Sequence, residues 1–178
     1  QSCSGVFTVG SSSGVVTVDS NTNLNYESAT SCTVTIKAAS SDGSDASTQF
    51  TVAVTNEAVT VTDNSASIAE SVSNSAAVVT VAATGDTGSL TWSITGGNTD
   101  GDSDNNAPFA IASSTGAITV NDADDINYES TTSYDLVVSA TDGTAADTET
   151  ITITITDVDE FDVGAVSDSN NAANTVAE

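Results

Sequence analysis

Between residues 58 and 160, apolar and polar positions alternate in short runs. The clearest is Glu149-Thr-Ile-Thr-Ile-Thr-Ile-Thr156, with isoleucine at every second position and threonine between. Successive side chains of a strand point to opposite faces, so this run predicts a strand with one buried and one wet side. The same period predicts strands near 77–83, 90–95, 108–111, 116–120 and 134–140, preceded by a split first strand near 59–70. Gly-Asp, Thr-Gly and Asp-Gly steps punctuate the intervals, as hairpins and sheet-crossing loops require. Seven strands in about a hundred residues predict an all-β fold, a Greek-key β-sandwich of the immunoglobulin-like class.

The chain also repeats itself. A shift of 102 residues lays 3–38 on 105–140 without a gap, with 13 of 36 positions identical. Phe7 falls on Phe109, Gly14-Val-Val-Thr-Val18 on Gly116-Ala-Ile-Thr-Val120, and Asn25-Tyr-Glu-Ser28 on Asn127-Tyr-Glu-Ser130. Matches on rare aromatics and turn glycines mark duplication rather than a shared bias in composition. The repeat frame divides the chain into 1–57, the C-terminal half of a repeat, 58–160, a complete repeat, and 161–178, the first strand of a following repeat. Four strands do not cover both faces of a sandwich core, so the 1–57 half is expected to be exposed or to be completed by another chain.

Composition narrows the chemistry. Val, Ile and Ala dominate the 38% of hydrophobic residues, and Ser and Thr together number 56, a mix suited to half-buried strands. The balance of 25 acidic against 1 basic residue gives a net charge of −24. Such a surface excludes nucleic acid as a partner, because nothing displaces counterions from phosphates. Without His or Arg, Ser-His-Asp and Cys-His nucleophile systems, arginine phosphate clamps and His-ligated metals all lack parts. Two carboxylates suffice for a glycosidase, but none lies in a pocket motif, so no catalytic residue is assigned and no enzyme is expected. Metal chemistry is confined to oxygen ligands.

No apolar run approaches the roughly 18 residues of a membrane span, and residues 1–20 lack the pattern of a signal peptide. The sequence reads as mature soluble protein with no membrane insertion. Cys3 and Cys32 are the only thiols, with no His beside them to complete a metal site, and predict a disulfide formed in an oxidising compartment.

The ordered segments Leu90-Thr-Trp-Ser-Ile94, Phe109-Ala-Ile111, Thr115-Gly-Ala-Ile-Thr-Val120, Ile126-Asn-Tyr-Glu129, Tyr134-Asp-Leu-Val-Val-Ser-Ala-Thr-Asp142 and Asp157-Val-Asp-Glu160 together resemble a cadherin repeat, of the kind found in tandem in bacterial surface adhesins. The resemblance covers the whole chain in broken phase. It implies Ca2+ bound between consecutive repeats by carboxylates of one repeat, the linker and the next repeat. The upper part of a junction falls on Glu70, Asn127, Glu129, Asp157, Asp159 and Glu160, and the lower part on Asp86 and Asp142.

Two junctions follow from that correspondence. The first gathers Asn25, Glu27, Asn56 and Glu57 with Asp86 and Asp142. The second gathers Glu70, Glu129, Asp157, Asp159 and Glu160, with its lower half beyond Glu178. The first linker, Thr55-Asn-Glu57, is shorter than Thr156-Asp-Val-Asp-Glu160 and lacks its aspartates, so the first junction is expected to bind calcium weakly or not at all. Independently of the resemblance, Asp-rich loop ends supply the oxygens a hard cation wants, and clustered carboxylates repel one another until a divalent ion intervenes. The loop Gly101-Asp-Ser-Asp104 matches no junction motif and reads as a solvated acidic loop.

The resulting expectation is an extracellular or cell-surface repeat segment, stiffened by calcium and mediating adhesion or extension. Its partners would be neighbouring repeats, copies of itself, or cell-surface glycans or proteins. Two alternatives remain open. The out-of-phase ends fit a filament subunit assembled head-to-tail by strand donation. A carbohydrate-binding module would need a stacking platform from Trp92, Tyr26, Tyr128, Phe7 and Phe109, which the repeat motifs assign to the core instead.

Overall fold

The computed structural model of the chain describes residues 3–21, 24–85 and 89–160. Every regular element among them is a strand, and no helix is long and apolar enough to cross a membrane. In the leading part, β1 (Phe7–Val9) pairs with β2 (Val16–Val18) and β3 (Ser31–Ala39) with β4 (Asp45–Ala53), both antiparallel. Beyond residue 58 follow β5 (Thr60–Val61), β6 (Ala66–Ala69), β7 (Ala77–Thr80), β8 (Ala83–Thr84), β9 (Thr91–Gly96), β10 (Phe109–Ile111), β11 (Ala117–Val120), β12 (Ser133–Thr141) and β13 (Ala146–Thr156).

These nine segments build a sandwich from a four-stranded sheet, β6-β13-β12-β9, and a three-stranded sheet, β10-β11-β7. The predicted first strand is split, as expected. Its opening piece β5 pairs with β8, and its second piece β6 runs parallel to β13. The predicted strand 77–83 is also split. β7 pairs with β11 and β8 with β5, while between them Val81 turns fully inward and donates its N–H to the Gly116 carbonyl at 3.0 Å. One strand serving two partners must break where it changes allegiance. β13 starts three residues before the predicted run, because the ladder with β12 extends to the Thr141–Ala146 pair.

Period-two alternation is the source of the core. Tyr134, Leu136, Val138 and Ala140 of β12 point inward with Ile151, Ile153 and Ile155 of β13, and Ile118 and Val120 of β11 close the other side. Trp92 and Phe109 are buried, and Phe109 meets Tyr134 edge-to-face with ring centroids 5.2 Å apart. Neither Trp92 nor Phe109 is available as an exposed stacking platform.

The leading part shows what happens without the opposing strands. The ladder sets Val34 opposite Phe50 and Cys32 opposite Val52, just as Leu136 stands opposite Ile151 and Tyr134 opposite Ile153. Ile151 and Ile153 are fully buried, whereas Phe50 is 53% exposed and Val52 36%. The local strand pattern is the same, but among the described residues this face is left uncovered. A separate small cluster of Cys3, Val6 and Cys32 anchors this part, with Cys3 and Cys32 joined by a disulfide.

Candidate metal centre

One end of the sandwich concentrates carboxylates because of how three segments leave it. The parallel pairing of β6 with β13 runs in register to Ala69 opposite Thr156, so the next residues, Glu70 and Asp157, emerge at the same edge. The Glu70 N–H donates to the Thr156 carbonyl at 3.2 Å, continuing that ladder. The turn ahead of β12 brings Asn127 and Glu129 alongside. Glu70, Glu129 and Asp157 each place a carboxylate oxygen within 4.8 Å of the others.

Glu70 is the anchor of this group. It is buried, and its Oε2 accepts the Tyr128 N–H at 2.8 Å while its Oε1 accepts the Val158 N–H at 2.6 Å. Those donors hold its carboxyl below the ordinary glutamate range despite partial desolvation. The group is therefore fixed as an anion by backbone dipoles. Asn127, Glu129, Asp157, Asp159 and Glu160 line an open hollow beside it. Glu160 shows the opposite tendency: the charge of Glu70 above all, with desolvation and the charges of Glu129, Asp157 and Asp159, raises its pKa. The only Lys or Arg in the chain, Lys37, forms an ion pair with Asp45 at the β3–β4 hairpin and contributes nothing to this hollow.

The first junction is built differently. Asn56 Nδ2 donates to Thr144 Oγ1 at 3.0 Å, and that hydroxyl lies 3.1 Å from Glu27 Oε1 and 2.9 Å from Asp142 Oδ1. A hydroxyl has one proton, so it serves one of these two carboxylates at a time. Asp142 caps its own hairpin: Oδ1 accepts the Ala145 and Thr144 N–H groups, each at 2.6 Å, which lowers its pKa to about 2. Two oxygens there, Asn56 Oδ1 and Asp142 Oδ2, are buried with no hydrogen-bond partner. Glu57 is exposed, and Asp86 lies outside the described residues.

Asn25 and Asn127 occupy matching places and do matching work. Asn25 Oδ1 accepts the Ser28 N–H at 2.7 Å, and Asn127 Oδ1 accepts the Ser130 N–H at 2.8 Å. Asparagine stands at both positions as a turn cap, with one side-chain oxygen and no charge where an aspartate would offer two oxygens and a charge. Thr144, the hydroxyl joining the two parts, escaped sequence reading because nothing in an Asp-Gly-Thr turn distinguishes a bridging threonine from a solvated one. Among the described residues a second carboxylate trio, Asp100, Asp102 and Asp104, is also drawn within 4.8 Å.

An all-oxygen donor set with buried, donorless oxygens fits a hard divalent cation, and residues 64–156 match the cadherin domain family. The chain belongs to the cadherin family. Cadherin domains are extracellular repeats of adhesion proteins and generally bind calcium, and the family is typically non-enzymatic. No curated protein matches this cadherin chain. Its fold is similar to that of mouse clustered protocadherin PcdhgC3 EC1-3 at a TM-score of 0.52 and 17% identity, covering 85% of this chain and 51% of that one. Human Protocadherin-24 EC1-2 is similar at a TM-score of 0.50 and 24% identity, covering 86% and 77%. Drosophila N-cadherin EC1-4 is similar at 0.51 and 19%, covering 89% and 40%. The chain thus spans about half or less of the mouse and fly fragments, and at these identities the likeness concerns the fold.

Proposed function

We propose that this chain is a segment of an extracellular, surface-adhesin type of tandem repeat array that calcium stiffens. Its parts would be the half repeat 1–57, the complete repeat 58–160 and the opening strand 161–178 of another. The observation that supports this reading best is the Glu70, Glu129 and Asp157 group, anchored by a buried glutamate that backbone donors keep ionised. Glu70, Glu129, Asp157, Asp159 and Glu160 would hold an ion there, with Asn127 beside them and the remaining ligands supplied by a following repeat. At the first junction the donorless Asn56 Oδ1 and Asp142 Oδ2 support an ion as well, with Glu27, Glu57 and Asp86 as further oxygens. When bound, calcium neutralises the mutual repulsion of these carboxylates and so ties neighbouring segments together.

Calorimetric melts in calcium and in chelator, at ionic strength matched with sodium, test the proposal. A melting temperature that rises and then saturates with calcium is expected. Coincident melts in calcium and matched sodium would defeat it, because simple screening then accounts for any stabilisation.

The uncovered Phe50 and Val52 face favours one further reading, in which the 1–57 half is completed by strands from another copy in a head-to-tail filament. Light scattering of purified chain separates the readings. Phe50→Glu should reduce assembly to monomer, whereas a wild-type chain that is monomeric at all concentrations removes this second reading.

A further inference from the structure

The loop joining β9 to β10 holds the trio Asp100, Asp102 and Asp104, and beneath it lies Asp125, contributed by the turn between β11 and β12. Asp125 is 7% exposed. Its Oδ1 accepts the Gly101 N–H at 2.8 Å and the Asp102 N–H at 3.2 Å, which places the carboxyl group against the inner side of the loop. Its Oδ2 is buried and has no hydrogen-bond partner. A carboxylate oxygen shut away from water without a donor is costly, and a chain whose one cation is engaged with Asp45 has no side chain to relieve it.

The trio above it is equally short of positive charge. Backbone N–H groups already orient it: Ser103 and Asn105 donate to the two oxygens of Asp100 at 2.6 and 2.8 Å, and Asp104 donates to Asp102 Oδ1 at 3.0 Å. A carboxylate oxygen that accepts one N–H keeps a second lone pair for a cation. The Asp104 N–H lowers the pKa of Asp102, but desolvation and the charges of Asp104, Asp125 and Asp100 outweigh it and leave the group raised. Asp125 lies against the backbone of Gly101 and Asp102, while only Asp100, Asp102 and Asp104 have carboxylate oxygens already drawn within 4.8 Å of one another.

We infer that Asp100, Asp102, Asp104 and the buried Asp125 form a calcium site inside the complete repeat, separate from the junctions between repeats. Carboxylate oxygens at flexible spacing suit calcium better than magnesium, which demands near-ideal octahedral geometry and sheds water reluctantly. The ion would pin the loop preceding Phe109 to the turn that Tyr134 holds through its hydroxyl, which donates to the Asp125 carbonyl at 2.7 Å. The site would thus rigidify one repeat internally, whatever happens at its ends.

The test is a count of bound ions by native mass spectrometry on the whole chain titrated with calcium chloride, alongside amide hydrogen exchange of residues 100–106. Asp125→Asn keeps an oxygen for the Gly101 and Asp102 N–H groups. Asp102→Asn with Asp104→Asn alters only exposed side chains and guards against a folding defect. Each should bind one calcium fewer than wild type and lose the calcium-dependent slowing of exchange in the loop. Glu70→Gln, aimed at the junction, should leave that slowing intact. Calcium counts and loop exchange unchanged in both aspartate variants would overturn the inference, and so would equal slowing by magnesium at the same concentration. Loss of ions in Glu70→Gln alone bears on the junction proposal instead.

Discussion

The Glu70 carboxylate accepts the Val158 N–H at 2.6 Å across 88 residues of sequence, so the end of β6 and the segment leaving β13 are tied by a buried anion. This single contact couples the strand order of the sandwich to the geometry of the hollow beyond it. Glu70→Gln keeps an acceptor oxygen but removes the charge at the centre of the group. Calcium affinity at this end should fall by at least about tenfold, the loss that removing even a supporting group costs a metal site. Isothermal titration calorimetry would read the change, and unaltered affinity would show that Glu70 is a structural cap only.

Gly14 and Gly116 occupy the same hairpin position in the two copies, with φ of 69° and 70°. A Cβ on Gly14 would meet nothing, whereas on Gly116 it would lie 2.6 Å from the Val81 carbonyl oxygen and 3.1 Å from the Trp92 ring. Gly14→Ala should therefore cost only the left-handed backbone penalty, about 1 kcal/mol. Gly116→Ala should add overpacking of about 1–3 kcal/mol. Denaturant unfolding of the two variants compares them directly, and equal losses would mean that the Val81 carbonyl and Trp92 both yield freely.

Sequence alone carried the fold a long way, because the inward Ile151, Ile153 and Ile155 are written as strict alternation and the repeat is visible in Gly14 and Gly116. The break at Val81 was hidden. The run Ala76-Ala-Val-Val-Thr-Val-Ala-Ala-Thr84 is uniformly apolar enough for one strand, and only the existence of two pairing partners interrupts it. The carboxylates of the distal end were named through resemblance to the family, but Asp125 was not. In Asp122-Ala-Asp-Asp125 the acids are alike by composition, and which of them sinks beneath a loop 24 residues away is decided by tertiary packing.

The disulfide between Cys3 and Cys32 spans 29 residues and sits in the part with the smallest buried cluster. Chain-entropy arguments give such a bridge about 3.5 kcal/mol. In the Cys3→Ala, Cys32→Ala double variant, amide exchange across β3 and β4 should accelerate to near unfolded rates. The complete repeat should keep its own protection, since its core shares no residue with that cluster. Simultaneous loss in both parts would show that they fold as one cooperative unit.

Thr144 joins the two parts by accepting the Asn56 amide proton at 3.0 Å, so its hydroxyl is a direct probe of their coupling. Thr144→Val keeps the shape and removes the acceptor, leaving the partly buried Asn56 amide without its partner. Asn56→Ala removes the donor instead. In chelator, where no bound ion contributes, the two variants and their combination form a double-mutant cycle with an expected coupling of about 0.5–1 kcal/mol, the net worth of one neutral hydrogen bond. Urea unfolding followed by Trp92 fluorescence suits this measurement, because the chain's single tryptophan lies in the core of the complete repeat and reports that unit alone. Additive effects would mean that the bond gives way to water in solution.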